Sequence, residues 1–420
     1  MKQHLYTGMF LVAATLSACS KTDNLATAPQ AVTASTLTIP PAAPSTITYT
    51  DESNFAASLA GYGFLTPDQL NLNRDGSAAG YNTVYGFNIP VANQVTGFKW
   101  NNGDEQTNEW RPQGITGFTW NNRKFLLTTW YGVDNSTIAG VRNEHKGVRI
   151  SLVDITNMNS ITYRHVLLVQ DAANMSNSLL YRASNSYTQL GAFCPVTIHA
   201  GGVAYHAGKI FVADTRLGMR VFDLSQLIAV KSDASDNRIG KESNGDLKAF
   251  GYGYILPQTG YYRITNANPF SCIELGEGAT SNEKVLWTGQ YISSDETQVP
   301  RVFGFPVNAA GQVNTSVQPT VITPIDNDTT FVHGVQGVFR AGSKTFMSTT
   351  GNSRYEGSTA RLVRYSDGTP AGTRYRWPHG AEDLYRDPAT GYLWCLTEYE
   401  TAAYNKDNRC VFAVRIADYQ

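Results

Sequence analysis

The sequence predicts an all-β fold: a β-propeller of five blades closed by an N-terminal strand. Three observations carry that expectation: an internal repeat, a length that suits one propeller domain, and a composition rich in turn formers but poor in charge. The repeat runs as a polar residue, usually a small one after it, a short apolar stretch, a turn, and a β-rich run. Its five copies begin at Gln113 (QGITGFTWNNRKFLLTTW), His199 (HAGGVAYHAGKIFVADT), Ser271 (SCIELGEGATSNEKVLWTG), His333 (HGVQGVFRAGSKTFMSTT) and His379 (HGAEDLYRDPATGYLWCLTE). Strand-only repeats of this kind mark propellers.

Alternation and turn signals place four strands per copy. In the copy at His199 they are 201–206, 209–215, 219–224 and, beyond a polar loop over 231–245, 247–256. In the copy at Gln113 they are 115–120, 124–130, 148–155 and 162–169. The copies lie 86 (113 to 199), 72 (199 to 271), 62 (271 to 333) and 46 (333 to 379) residues apart. A four-stranded blade needs roughly 40 to 50 residues, so the surplus is loop. The last copy runs out of chain after three strands, and a stretch within 81–100 is expected to add the fourth. A sixth blade in the 86-residue interval would lack a second copy of the motif.

The bulk properties fit this picture. Of 420 residues, 42% are hydrophobic, enough for a large core, and only 16% are charged, with 37 Gly, 23 Tyr and 7 Trp. A net charge of −1 gives no electrostatic case for nucleic acid. Met1 to His4 is a short basic region and 5–18 an apolar one, too short to span a bilayer, which takes about 20 residues. Leu16-Ser17-Ala18-Cys19 resembles the bacterial lipoprotein cleavage box, which implies a signal peptide over 1–18 and lipidation of Cys19. An ordinary secretory signal with a chance cysteine is the alternative. Residues 19–48, rich in Ala, Thr, Pro and Ser, read as a disordered tether, and 49–420 as a single propeller domain. The expected setting is the cell envelope (outer membrane, periplasmic or surface-exposed), with a monomer that meets the membrane only through its lipid. Four cysteines remain for an oxidising compartment. Cys395 and Cys410 flank a hairpin and are expected to pair, as are Cys194 and Cys272; the alternative is four free thiols. No C-x-x-C spacing points to zinc.

From His199 onward the chain resembles a family of secreted, uncharacterised bacterial proteins abundant in actinobacteria. The matching stretches are HAGGVAYHAGKIFVADTRLGMRVFDL, GYGYILPQTGYYR, PHGAEDLYRDPATGYLWCLTEYE and CVFAV. The resemblance implies a secreted propeller-like fold and brings no catalytic residue. More broadly, FVADT…GMRVFDLS is similar to many propeller blades, and five-bladed propellers include several glycoside hydrolase families.

The chemistry-bearing candidates follow from repeat position. His199, His333 and His379 open three inner strands, with Gln113 and Ser271 at the other two, so they are expected to ring one mouth of the channel. Converging imidazoles could hold a divalent metal, serve as general acid or base, or tie neighbouring blades through backbone hydrogen bonds. Glu382 and Gln336 follow three residues behind their histidines and are expected one layer deeper. Strand alternation puts Glu382 and Asp383 on opposite faces. Glu274, Asp214 or Glu398 could supply a second carboxylate for glycoside cleavage; Asp214, before a turn, equally suits a turn-bonding role. Trp130 and Tyr131, with Trp110, Tyr261, Tyr262, Tyr291, Tyr375, Trp377 and Tyr399, could stack on sugars, whereas Trp120, Trp287 and Trp394 read as core. No phosphate loop, G-x-S-x-G or H-E-x-x-H occurs.

Three functions are compatible with this pattern. One is binding of a carbohydrate or other extracellular ligand at the channel mouth, the main expectation. Another is a polysaccharide hydrolase or lyase using His199, His333, His379, Glu382 and Asp214 as catalytic candidates. The third is a protein-interaction scaffold.

Overall fold

The computed structural model describes residues 39–420 apart from 40, 79–84, 87–88, 91–92, 134–146, 178–186, 232, 234–235, 268, 295, 326–330, 350–359, 370–371, 400–408 and 420. The signal peptide, Cys19 and most of the expected tether lie outside the described residues.

The chain folds as a β-propeller built from antiparallel four-stranded sheets. Sheet one comprises Trp110–Trp120, Arg123–Gly132, Val148–Asp154 and Ile161–Asp171. Sheet two comprises Val203–His206, Lys209–Asp214, Gly218–Asp223 and Tyr254–Ile264. Sheet three runs through Glu274–Glu277, Lys284–Gly289, Val302–Pro306 and Thr320–Ile322. Sheet four has Val335–Ala341, Lys344–Thr349, Arg361–Ser366 and Thr373–Arg376. Sheet five takes Ala381–Arg386, Tyr392–Thr397 and Cys410–Arg415 from the C-terminus and Gln94–Lys99 from the N-terminal region. The strand expected within 81–100 is therefore Gln94–Lys99, paired with Cys410–Val414.

Local chemistry explains the hairpins. Sheets one and two turn at Asn121-Asn122 and Ala207-Gly208, where all four residues have positive φ. That is the twist a two-residue hairpin needs. Alternating apolar residues then face the neighbouring sheets. One buried cluster joins Phe125, Leu127 and Ile150 of sheet one to Ile210, Val212 and Phe222 of sheet two. Others join Phe211 to Leu286 and Phe303, Trp287 and Val302 to Met347 and Val363, and Phe346 to Leu393 and Phe412. The last joins Val411 and Leu396 of sheet five back to Leu126 and Val153 of sheet one. Each sheet thus buries both faces against its neighbours, and the order closes on itself. The inner strands follow the same cycle and approach at backbone distance: a Cβ on Gly202 would lie 2.1 Å from the Ile273 nitrogen.

The N-terminal segment laces the outside. Ile47–Asp51 adds a fifth strand to sheet two, so the expected tether ends before Thr48. Arg74–Ala78 bridges the outer strands of sheets five and one. Between those sheets the helix Asn102–Gln106, capped by the Asn101 side chain, presents Asp104 to the interior. Asp104 accepts from Arg74 (2.9 Å), Arg149 (3.1 Å) and the Tyr163 hydroxyl (2.7 Å), and His165 Nε2 lies 3.0 Å away. The fully buried Arg409 donates to the carbonyls of Asp104, Thr107 and Glu398.

Two expectations are corrected. The fourth strand of sheet two is Tyr254–Ile264; Leu247–Ala249 instead joins a small separate sheet with Arg238–Lys241 and Thr188–Gln189. The expected disulfides are absent: Cys194, Cys272, Cys395 and Cys410 are free and buried. Cys395 stands opposite Phe412, so Cys410 is a diagonal neighbour two residues along. Such diagonals are about 7 to 8 Å apart, beyond disulfide reach. Cys194 lies on a short strand opposite Gln170, while Cys272 accepts from the Gly289 amide in sheet three.

Candidate functional site: buried carboxylates along the channel

Three inner strands carry a one-residue defect, at the same repeat position in sheets four and five and three residues earlier in sheet one. The register slips by one residue between Pro112 and Ile115, between Val335 and Gly337, and between Ala381 and Leu384. A bulge interrupts alternation and re-aims the side chains it carries. The residues so placed are Gln113, Gln336, Glu382 and Asp383. Pure alternation, as expected for Glu382 and Asp383, does not govern this stretch, and both side chains are buried.

Asp383 reaches across to the first two sheets: its Oδ2 accepts from the amides of Ile115 (3.3 Å) and Val203 (3.2 Å). Its Oδ1, Glu382 Oε2 and Glu274 Oε2 have no hydrogen-bond partner among the described residues. Burial pushes all three carboxyls well above their ordinary values. For Glu382 the charges of Glu398 and Asp383 add to burial, and Arg111 opposes them only in part. For Glu274 the added charge is Asp383.

Glu398 belongs to the same group but is treated differently. It follows the strand Tyr392–Thr397, and its amide donates to the Gly380 carbonyl at 2.9 Å. Its carboxyl is also raised, by burial, but less far than that of Glu382, because Arg111, Tyr399, Arg409 and Gln113 all oppose the rise. The Gln113 amide donates to Glu398 Oε2 at 2.5 Å, and Arg111 lies 3.8 Å from Oε1. Glu382 and Glu398 are therefore electrostatic neighbours in unequal surroundings, one lacking donors and the other supplied with them.

Aromatic rings surround this pair. The imidazole of His379 stacks on Tyr399 at 5.0 Å, and the Arg111 guanidinium lies 5.6 Å from the Tyr399 ring. Tyr131, whose hydroxyl is raised by burial and then by Glu398, has its ring 4.1 Å from that of the exposed His199. Beside His199 a cavity of about 520 Å³ runs between sheets two and three, lined by Ser271, Tyr291, Gln336 and Arg216.

The other candidates fall as follows. His333 Nδ1 faces the Ile292 carbonyl at 3.3 Å, a tie to the loop of the preceding sheet. The three histidines of the expected ring thus have different neighbours. Among the described residues no group of three or more His, Cys, Asp or Glu could hold a metal ion. Asp214 does the turn-bonding work, accepting from the amides of Arg216 and Leu217 and from Arg220 Nε at 2.8 Å. Trp130 is not at the mouth: it is fully buried, and its Nε1 donates to Ser151 at 2.7 Å. Trp287 and Trp394 are core residues, as expected. Arg111 and the Gln113–Glu398 bond were missed by sequence reasoning, because the bond joins positions 285 residues apart.

No protein-family model matches the chain, and neither does any curated protein. Among solved structures it is similar to the GH43_1 enzyme from Xanthomonas citri, at 9% identity and a TM-score of 0.38 over 73% of this chain and 88% of that one. It is similar to the gluconolactonase XC5397 from Xanthomonas campestris at 9% identity and a TM-score of 0.34, over 83% and 89%. A putative glycoside hydrolase from Parabacteroides distasonis gives 10% and 0.33, over 80% and 97%. Likenesses this weak carry nothing over to this chain's chemistry.

Proposed function

We propose that this protein is a carbohydrate-active enzyme of the cell envelope that cleaves glycosidic bonds by acid–base chemistry. Glu382 is the protonated acid and Glu398 the ionised partner. The observation that carries this reading is the asymmetry of the pair. Two carboxyls in one electrostatic neighbourhood whose surroundings push their pKa values apart divide naturally into acid and base. Glu382 has burial and two like charges against ionisation; Glu398 has Gln113, Tyr399 and Arg111 in favour of it. Tyr131 and the exposed His199 form an aromatic rim that would hold a sugar ring, backed by the buried His379–Tyr399 stack.

The experiment is product release from a panel of extracellular polysaccharides by the wild type, Glu382→Gln and Glu398→Gln. Loss of general acid catalysis is worth roughly 100-fold or more. Activity should fall as pH rises through the elevated Glu382 value and as pH drops through that of Glu398. A Glu382→Gln chain with full turnover sinks the assignment. A wild type that binds a polysaccharide and never cleaves it leaves a carbohydrate-binding protein, favoured by the same aromatic rim.

In this reading the five described sheets are the blades of a five-bladed propeller, and the chain is a monomer tethered by acyl chains on Cys19. Release of Cys19→Ser from the membrane fraction tests the anchor; a variant that stays bound removes it.

A further inference from the structure

A second cavity, of about 360 Å³, opens at the other end of the inner strands, where their hairpins turn. Sheets one, two, four and five line it with Phe118, Tyr205, Phe339, Tyr385 and Trp394. Gly117 lets the Tyr385 ring lie against sheet one, since a Cβ there would meet Cε1 at 2.4 Å. Sheet three contributes Glu274, which is 3% exposed, lines the cavity and keeps Oε2 without a partner. A volume of this size suits a small ligand, and one carboxyl, bonded to Thr116 through its other oxygen, in a largely aromatic enclosure suits one charged head.

We propose that this cavity binds a small organic cation, with an ammonium head on Glu274 and an apolar or aromatic body between Phe118, Phe339 and Tyr385. A sugar would need several converging hydrogen-bonding groups, whereas here Thr116 is already bonded to Glu274 and Trp394 Nε1 is the one further donor among the aromatic rings. An ammonium would compensate the buried carboxylate and gain from the ring faces at once. Arg386 and Lys284 at the rim have partners of their own, although Arg386 also lies over the Phe339 ring. Arg386 lies 5.8 Å from the Phe339 ring and 3.7 Å from Glu277, and Lys284 donates to the Ser281 carbonyl. His206 Nε2 faces the Asn308 carbonyl at 2.8 Å, and Asp387 accepts from Ala389 and Thr390. Lys124 is exposed, and Asp383 is the charge that acts on Glu274 from the channel side. This site is independent of the chemistry proposed for the opposite mouth.

Burial, then Asp383, holds the Glu274 carboxyl well above its ordinary value, so an arriving cation must displace its proton. Calorimetric titration of the full chain with phenethylammonium and its neutral counterpart 2-phenylethanol tests the site. The ammonium should bind saturably, one per chain, and tighten by about tenfold per pH unit below the Glu274 value, with proton release. The alcohol should bind weakly at every pH. Glu274→Gln should cost the ammonium about tenfold or more, one pKa unit of lost interaction. Equal affinity for alcohol and ammonium, no saturation at millimolar ligand, or unchanged binding by Glu274→Gln would each overturn the proposal. So would preferential binding of potassium or calcium chloride, run as parallel titrations. If Glu274→Gln fails to fold, the wild-type comparison of ammonium with alcohol across pH decides alone.

Discussion

Asp104 and Glu382 are both buried acids, and the protein treats them in opposite ways. Burial alone would raise the Asp104 carboxyl, yet His165, Arg149 and Arg74 around it bring it well below its ordinary value. His165 is itself held down to about 4 by burial and Arg149, so at neutral pH it acts on Asp104 as a hydrogen-bond donor. The cluster ties the helix Asn102–Gln106 to sheet one and, through Arg74, to the strand Arg74–Ala78. Along the channel, Glu382, Asp383 and Glu274 each keep an oxygen without a donor and are raised. A buried acid surrounded by donors is built to hold elements together. One left short of donors destabilises the fold, and such groups are retained where chemistry needs them.

The comparison breaks most visibly at Asp104. Asp104→Ala strands Arg149 without its anion and is expected to lower unfolding free energy by about 3 to 5 kcal/mol. Urea unfolding followed by tryptophan fluorescence measures it; a loss within about 0.5 kcal/mol, as for an ordinary surface change, would erase the distinction.

Glu382→Gln should go the other way. It keeps the shape and removes a carboxyl with too few donors, so the melting temperature at mildly alkaline pH is expected to hold or rise by a few degrees. A marked fall would make Glu382 a structural residue.

The smallest effect is in the pH dependence of melting, and its two limbs have opposite origins. Raised carboxyls bind protons in the folded chain that the unfolded chain has released, so their contribution falls as pH rises from ordinary values near 4.5 through the elevated folded ones. For His165 the unfolded chain takes up its proton near 6.5 and the folded chain near 4, so stability is lost as pH falls through that window. Differential scanning calorimetry should find the alkaline decline reduced in Glu382→Gln and the acid decline unchanged. A reduced acid limb in that variant would contradict the assignment.

The five sheets were legible because their inner and second strands alternate over most of their length and the hairpins are marked by turn residues, as at Asn121-Asn122 and Ala207-Gly208. The closing strand could be anticipated because a ring leaves no edge in sheet five. What stayed hidden depends on register and distance. A two-residue offset between Cys395 and Cys410 decides against their disulfide, and nothing in the hairpin's composition announces it. Leu247–Ala249 has the alternation of a fourth strand, yet Tyr254–Ile264 takes that place. The bulges that redirect Gln113 and Glu382 follow from neighbouring sheets, and the contacts of Asp104 with Arg149 and His165 join residues from separate parts of the chain. Glu382 could be nominated from its repeat position; Glu398 remained ambiguous because two of its partners, Arg111 and Gln113, come from sheet one.

Sheet five draws its strands from both ends of the domain, with Gln94–Lys99 waiting for Cys410–Arg415. A growing chain can build sheets one to four while this early strand has only Arg74–Ala78 beside it. The ring therefore closes only once Cys410–Arg415 has been made, and a copy cut short before that strand presents an unpaired edge at the seam.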